Sequence, residues 1–276
     1  MSIRNILVAY NGTETADRAV KLATAIAARS DAHLTALFAH SMPLAHAQLD
    51  FYMTTAALDV MEANQREADA RVEEQFKTLM GELDPTVRTD YLNVRGFPND
   101  ILSDYSRTYD LVVVGQPSGK TGSQYFEPHP DQIALQSGRP VLVAPQGFDQ
   151  MELSRDAVVA WDGQRAAARA LSDAMDILEE EDKVTVLHVG DSDASVRLPG
   201  RDLMQHLSRH GIHADLSVQP RASMAISDII LNTLADSGAG LLVMGAYEHS
   251  RFSEMLLGGV TREVVQRSHV PVLMAH

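Results

Sequence analysis

Short runs of aliphatic and β-branched residues recur along the chain, separated by stretches whose apolar positions follow a helical period. The first run, Ile6-Leu7-Val8-Ala9-Tyr10, is closed by Asn11-Gly12, and a second, Ala157-Val158-Val159-Ala160-Trp161, is closed by Asp162-Gly163. Each leads into an Ala-rich stretch, Ala16 to Ala28 and Ala166 to Leu178, and then into another short run, Leu34 to Ala39 and Val184 to Val189. Runs of this length rich in Val, Leu and Ile predict strands, and the longer periodic stretches predict helices.

The pattern repeats. Asp110 to Gly115 matches Gly240 to Gly245, and Arg139 to Ala144 matches Val270 to Ala275. The lag between copies is about 150 residues at first and about 130 later, so the first copy carries about 20 extra residues. These fall around Leu44 to Gly81, where Ala57 to Met80 predicts a long amphipathic helix at the surface. Each copy reads as strands alternating with helices, which implies a parallel sheet covered on both faces. Right-handed crossovers make such a sheet doubly wound. The expected architecture is therefore α/β, with two tandem doubly wound five-stranded parallel-sheet domains. Their expected bounds are 1–147 and 154–276, with the break near Gln146 to Arg155, where Pro145 and Gly147 interrupt the periodicity.

Composition narrows the function classes. The net charge is −14 and the sequence pI about 5.1. Such a surface repels phosphate backbones and anionic bilayers at long range, so neither nucleic acid nor a membrane is expected as a partner. A small anion held by backbone N–H groups is still compatible, because those act at short range. Cysteine is absent, which removes disulfides and thiolate chemistry. No apolar stretch is long enough to span a bilayer and no leader pattern opens the chain, so the expected location is the cytoplasm.

In an open α/β sheet, ligands bind beyond the carboxyl ends of the strands, where the strand order reverses. In the second copy the segments in question are Asp162-Gly163 and Gly245 onward. Gly245 ends a strand, and Gly258-Gly259 open a periodic stretch, Val260 to Arg267. Glycines there permit positive φ and let N–H groups approach phosphate oxygens, with the helix terminus adding partial positive charge.

The stretch from Val243 to Thr261, with Gly245, two residues, position 248, nine residues and then Gly258, resembles the universal stress protein family. ATP-binding members of that family carry Gly-x2-Gly-x9-Gly-Ser/Thr after the fourth strand and Asp-Gly after the first. The closing run Val270-Pro271-Val272-Leu273-Met274 is similar too, and the resemblance covers nearly the whole chain, twice. It implies a site for an adenine nucleotide (ATP, ADP or AMP, with Mg as a companion ion) in the second copy. Asp162 would meet the adenine, Ala160 and Val189 would line the base pocket, and Met244 and Gly245 would pass the ribose and first phosphate. Gly258, Gly259 and Val260 would receive the phosphates. It further implies that the copies pair as a pseudo-dimer through their last strands, Val141 to Ala144 against Val272 to Ala275, and that whole chains form a homodimer.

Two positions depart from the pattern. Glu248 stands at the second motif glycine and Gly259 at the motif Ser/Thr. A carboxylate beside a polyphosphate is repulsive unless a metal bridges them, and the lost hydroxyl removes a donor worth about 0.5–1.5 kcal/mol. Weakened triphosphate binding is expected, with AMP or ADP better tolerated. The first copy departs further. Asn11 replaces the Asp, and Glu127-Pro128 stand opposite Gly258-Gly259. A degenerate site, filled by its own loop, is expected there.

Several other patterns lose to simpler readings. Gly115 to Thr121 follows a strand and approaches a P-loop, but the glycines are separated by three residues where that motif needs four. His206 and His210, with His213 beyond, have metal-ligand spacing, yet a solvated helix end is the preferred reading, since His favours a helix carboxyl terminus. No nucleophile elbow or His-Glu-x-x-His pattern occurs. The expected function is a cytoplasmic stress-response protein without enzymatic activity. It would bind an adenine nucleotide in its second copy and act through conformation or an unidentified protein partner. The alternative is a scaffold or regulatory dimer in which both sites are degenerate.

Overall fold

The computed structural model describes residues 2–40, 55–118, 127–149, 155–190, 201–221, 223–246 and 259–276. Its first half contains β1 (Asn5–Ala9), α1 (Glu14–Ser30), β2 (His33–His40), α2 (Thr55–Leu83), β3 (Thr89–Arg95), α3 (Pro98–Ser106), β4 (Leu111–Gly115), α4 (Pro130–Ser137) and β5 (Val141–Ala144). Its second half contains β6 (Asp156–Ala160), α5 (Arg165–Leu178), β7 (Lys183–Val189), α6 (Arg201–Arg209), β8 (Ala214–Gln219), α7 (Ile226–Ser237), β9 (Leu241–Gly245), α8 (Gly259–Arg267) and β10 (Val272–Ala275).

All ten strands join one sheet, in the order β3-β2-β1-β4-β5-β10-β9-β6-β7-β8. Every neighbouring pair is parallel except β5 and β10, which run antiparallel with Val272 opposite Val143, Leu273 opposite Leu142 and Met274 opposite Val141. Each half is thus a doubly wound five-stranded parallel sheet, and the pairing of last strands expected above fuses the two. The fused sheet has two cores, one per face, because strand side chains alternate. Ile6, Val8, Leu142, Val243 and Leu273 enter the core under α1, α2, α5 and α6. Leu7, Val112, Val143, Met244 and Val272 enter the core under α3, α4, α7 and α8. Both cores run through both halves.

Helix α2 extends the predicted amphipathic stretch by a few residues at each end. Its Phe76 and Met80 are buried. Phe76 lies between Tyr10 and Tyr91, at ring-centroid distances of 5.5 and 5.8 Å. The extra length therefore clamps the outer strands β2 and β3 onto α1.

One buried charge has no evident partner. Glu181, in the turn after α5, is 9% exposed, and neither carboxylate oxygen has a hydrogen-bond partner. Burial pushes its pKa up to about 7, with Glu180 and Asp156 adding to the rise and Arg29 and Arg155 opposing it. The folded pKa lies above the ordinary 4.5, so the native state holds a proton that the unfolded chain has released. Glu181 therefore contributes fully below about pH 4.5, and that contribution is lost as pH rises to about 7. Glu181→Gln keeps the neutral shape at every pH. Its stability relative to the parent is expected to rise across that window by on the order of 1–2 kcal/mol, allowing for solvent screening. Urea titrations of both proteins at pH 5 and pH 7.5 measure this; parallel pH profiles would refute it.

Candidate functional site

In each half the strand order reverses between two central strands, β1 and β4 in the first and β6 and β9 in the second. Helices leave these strands toward opposite faces, and a crevice opens at the carboxyl ends. Both crevices are built on the same local device. In the first half, Asn11 Oδ1 accepts from the Thr13 N–H at 3.2 Å, and in the second, Asp162 Oδ1 accepts from the Gln164 N–H at 2.9 Å. The following glycines, Gly12 and Gly163, take φ of 71° and 80°, values that suit glycine. These side-chain turns lead the chain from β1 and β6 into the first turn of α1 and α5.

Those first turns pass very close to the strand beside them. A Cβ on Gly115 would lie 2.5 Å from Thr15 O, and one on Gly245 would lie 2.6 Å from Ala167 N. Gly245 is not among the positive-φ glycines, and the requirement for glycine there is the close approach of a helix. The Ala166-Ala167-Ala168 run directly after the Asp-Gly turn is the sequence signal that could have revealed it.

The predicted second-half residues fall as follows. Ala160 ends β6 and pairs with Met244 on β9 and Leu187 on β7. Met244 is buried, while Ala160, Val189 and Val260 are partly buried against the same core, the one under α7 and α8. Four of the eight predicted residues thus belong to the apolar core on that face of the sheet. Asp162 is exposed and spends one oxygen on its own turn. Gly259 is the first residue of α8 and is exposed; among the described residues, a Cβ there would meet only Glu263 Oε1, at 3.9 Å. Gly258 and Glu248 lie outside the described residues, as do Gly119, Lys120 and Thr121 of the P-loop-like stretch. Trp161 faces the other way, packing against the core under α5 and α6.

A small crevice opens in the first half. It holds a cavity of about 30 Å³, roughly one water, lined by Ala9, Tyr10, Leu37, Ala39 and Glu127 among others. Glu127 Oε2 accepts from the Ser118 N–H at 3.0 Å, and Asn99 Oδ1 accepts from the His129 N–H at 2.8 Å. Helix α4 then opens with Pro130, which has no N–H. Among the described residues, two amides at this mouth, those of Ser118 and His129, are thus answered by the chain's own side chains. Above Gly12, Gln75 and Val72 of α2 approach closely.

Sequence reasoning also missed a contact near the histidines. The His206 and His210 rings are 4.8 Å apart, and His210 Nδ1 lies 3.1 Å from Glu179 Oε1 at the end of α5. No group of three or more potential metal ligands forms among the described residues. No described helix is long and apolar enough to cross a membrane.

The match to known proteins agrees with this geometry. The family model for the universal stress protein family matches residues 2–145 and 221–276. The chain belongs to the universal stress protein family. Met244, Gly245 and Gly258 to Val260 lie in the matched portion, whereas Ala160, Asp162 and Val189 fall between the two matches. A curated relative, universal stress protein Slr1230 of Synechocystis sp., is 23% identical over 185 residues, which span 64% of this chain and 62% of that protein. Among solved structures, a universal stress protein from Archaeoglobus fulgidus DSM 4304 superposes with a TM-score of 0.74. It is 16% identical and covers 98% of this chain and 95% of its own. A protein of unknown function from Pseudomonas aeruginosa PAO1 superposes at 0.59, with 18% identity and coverage of 99% and 92%. At these identities the superpositions speak for the fold alone.

Proposed function

We propose that the second half of this universal stress protein binds an adenine nucleotide in the crevice between β6 and β9, and that the first half does not. The carrying observation is that Ala160, Val189, Met244 and Val260 all pack on the core of one face, with Ala160 and Met244 paired at the ends of β6 and β9, and that α8 opens after β9 with Gly259. An aliphatic wall suits a flat base, Asp162 keeps one carboxylate oxygen for an adenine amine, and the amides of a helix terminus suit phosphate. The tight Gly245–Ala167 approach supports the reading by seating the first turn of α5 against the end of β9, at the reversal point. Gly259 lacks the family hydroxyl, so AMP and ADP are proposed as better ligands than ATP, which would rely on Mg. The self-satisfied amides around Glu127 support reading the first half as a partner domain that regulates or scaffolds. We read residues 1–147 and 154–276 as the two units. The role proposed for the whole chain is cytoplasmic, non-catalytic signalling in stress response, through conformation or a protein partner, with homodimers as the working assembly.

Gly259→Asp tests the site. The position has room for the side chain, and an acidic residue suits the first turn of a helix. Stability should hold, while AMP affinity measured by calorimetry on nucleotide-free protein should fall at least about tenfold, the effect of roughly 1.4 kcal/mol of added repulsion. Unchanged affinity, or a parent chain that binds none of AMP, ADP or Mg-ATP, would remove the proposal.

A further inference from the structure

Residue 116 follows β4 at the mouth of the first crevice, and residue 246 follows β9 at the same place in the second half. Their backbones are equivalent: Gln116 N–H donates to Ala144 O and Ala246 N–H to Ala275 O, both at 2.8 Å. Their side chains are not. Gln116 is 4% exposed, and its amide reaches out of its own half. Gln116 Nε2 donates to Val265 O at 2.6 Å and to Ser268 O at 3.4 Å, at the carboxyl end of α8. Gln116 Oε1 accepts from the Gln146 N–H at 2.7 Å, where the chain leaves β5 for the second half. Ala246 has no group that could return the contact.

The last carbonyls of a helix have no partner within it, so a buried helix end needs donors from elsewhere. Here a single side chain from the other half provides them. The same side chain lines the first crevice, two residues before Ser118, whose amide is held by Glu127. We propose that Gln116 is a positioning residue that fixes the seat of α8, so that the first half sets the geometry of the second half's phosphate turn at Gly259. The link to phosphate rests on the nucleotide reading above; the strut itself does not. The two halves are not equivalent in this contact: the first half reaches the end of α8 with the buried Gln116 amide, whereas the second half reaches the end of α4 with the exposed Arg169, whose guanidinium donates to Gly138 O at 3.3 Å.

Hydrogen exchange on the full chain tests this. Gln116→Met keeps the bulk and removes all three bonds. Amides of α8 should then exchange at least tenfold faster, while those of α1 and α7 change less than twofold, and AMP affinity should fall by a similar factor. Unchanged exchange in α8, or equal acceleration throughout the chain, would overturn the strut. Gln116→Glu, which keeps the acceptor for Gln146 but loses the donor, carries the same test should the Met variant not fold. In the parent chain, the Gln146 amide and the α8 amides should open with the same urea dependence; separate openings would also overturn it. Faster α8 exchange in a protein that binds no nucleotide would sink the nucleotide reading and leave the strut standing. Faster exchange with undiminished AMP affinity would break the link between strut and site.

Discussion

Truncation of Leu273 to alanine is expected to lower the stability of the whole chain by about 2–5 kcal/mol. Leu273 is fully buried and sits opposite Leu142 across the one antiparallel pairing in the sheet. Both side chains enter the core under α1, α2, α5 and α6, which is shared by the two halves. A cavity there is lined from both sides, so neither half can collapse into it alone. Leu142→Ala should cost a similar amount, and the double variant should depart from additivity because the residues touch the same space. Trp161 is the single tryptophan and reports the second half, whereas far-ultraviolet circular dichroism reports both. The two signals should lose structure together in urea. A Trp161 transition displaced from the circular dichroism transition would mean that the halves unfold independently, contrary to a continuous core.

The second large effect is expected at the close approaches. Gly245→Ala places a methyl 2.6 Å from Ala167 N and 2.7 Å from Ala166 C, and Gly115→Ala places one 2.5 Å from Thr15 O. All three are backbone atoms, which cannot swing aside as a side-chain tip would. The helix start must move away from its strand, at a cost of about 1–3 kcal/mol for overpacking. Chemical denaturation should show comparable losses for the two variants. Only Gly245→Ala should also weaken AMP binding, because only that shift opens the proposed site. As a contrast, Gly147→Ala meets nothing within 4 Å and should be nearly neutral. Neutral behaviour at Gly245 would show that the helix starts are not wedged against the strands.

Much of this was legible in the chain itself, for physical reasons. Strands buried on both faces must be nearly continuous runs of Val, Leu and Ile, so β1, β4, β5, β6, β9 and β10 stood out within a residue or two of their ends. Outer strands are half exposed and read poorly. β3 and β8 alternate between partly buried and exposed positions, and neither they nor α3 and α7 could be assigned bounds. The family resemblance supplied the pairing of last strands. Periodicity alone could not, since either strand could have remained an edge. Of the candidate site, Ala160, Val189, Met244 and Val260 came from the family resemblance, since periodicity marks where strands end and not which side chains meet a ligand. The close approach at Gly245 was not legible in its own segment, and only the run of small residues Ala166-Ala167-Ala168 in the segment it meets hints at it. Gln116 was invisible for the same reason: its partners lie about 150 residues away, and a lone Gln after a strand carries no periodic signal.

The antiparallel junction of β5 with β10 has one more consequence. Each half has surrendered its growing edge to the other within a single molecule, so the union does not weaken on dilution as an association of separate chains would. Among the described residues, the sheet now ends at β3 and β8, whose Asp90, Arg95 and Asp215 discourage further strand addition. A second chain that joins this one must therefore meet it across helices or loops, and expression level can regulate that meeting without ever touching the bond between the halves.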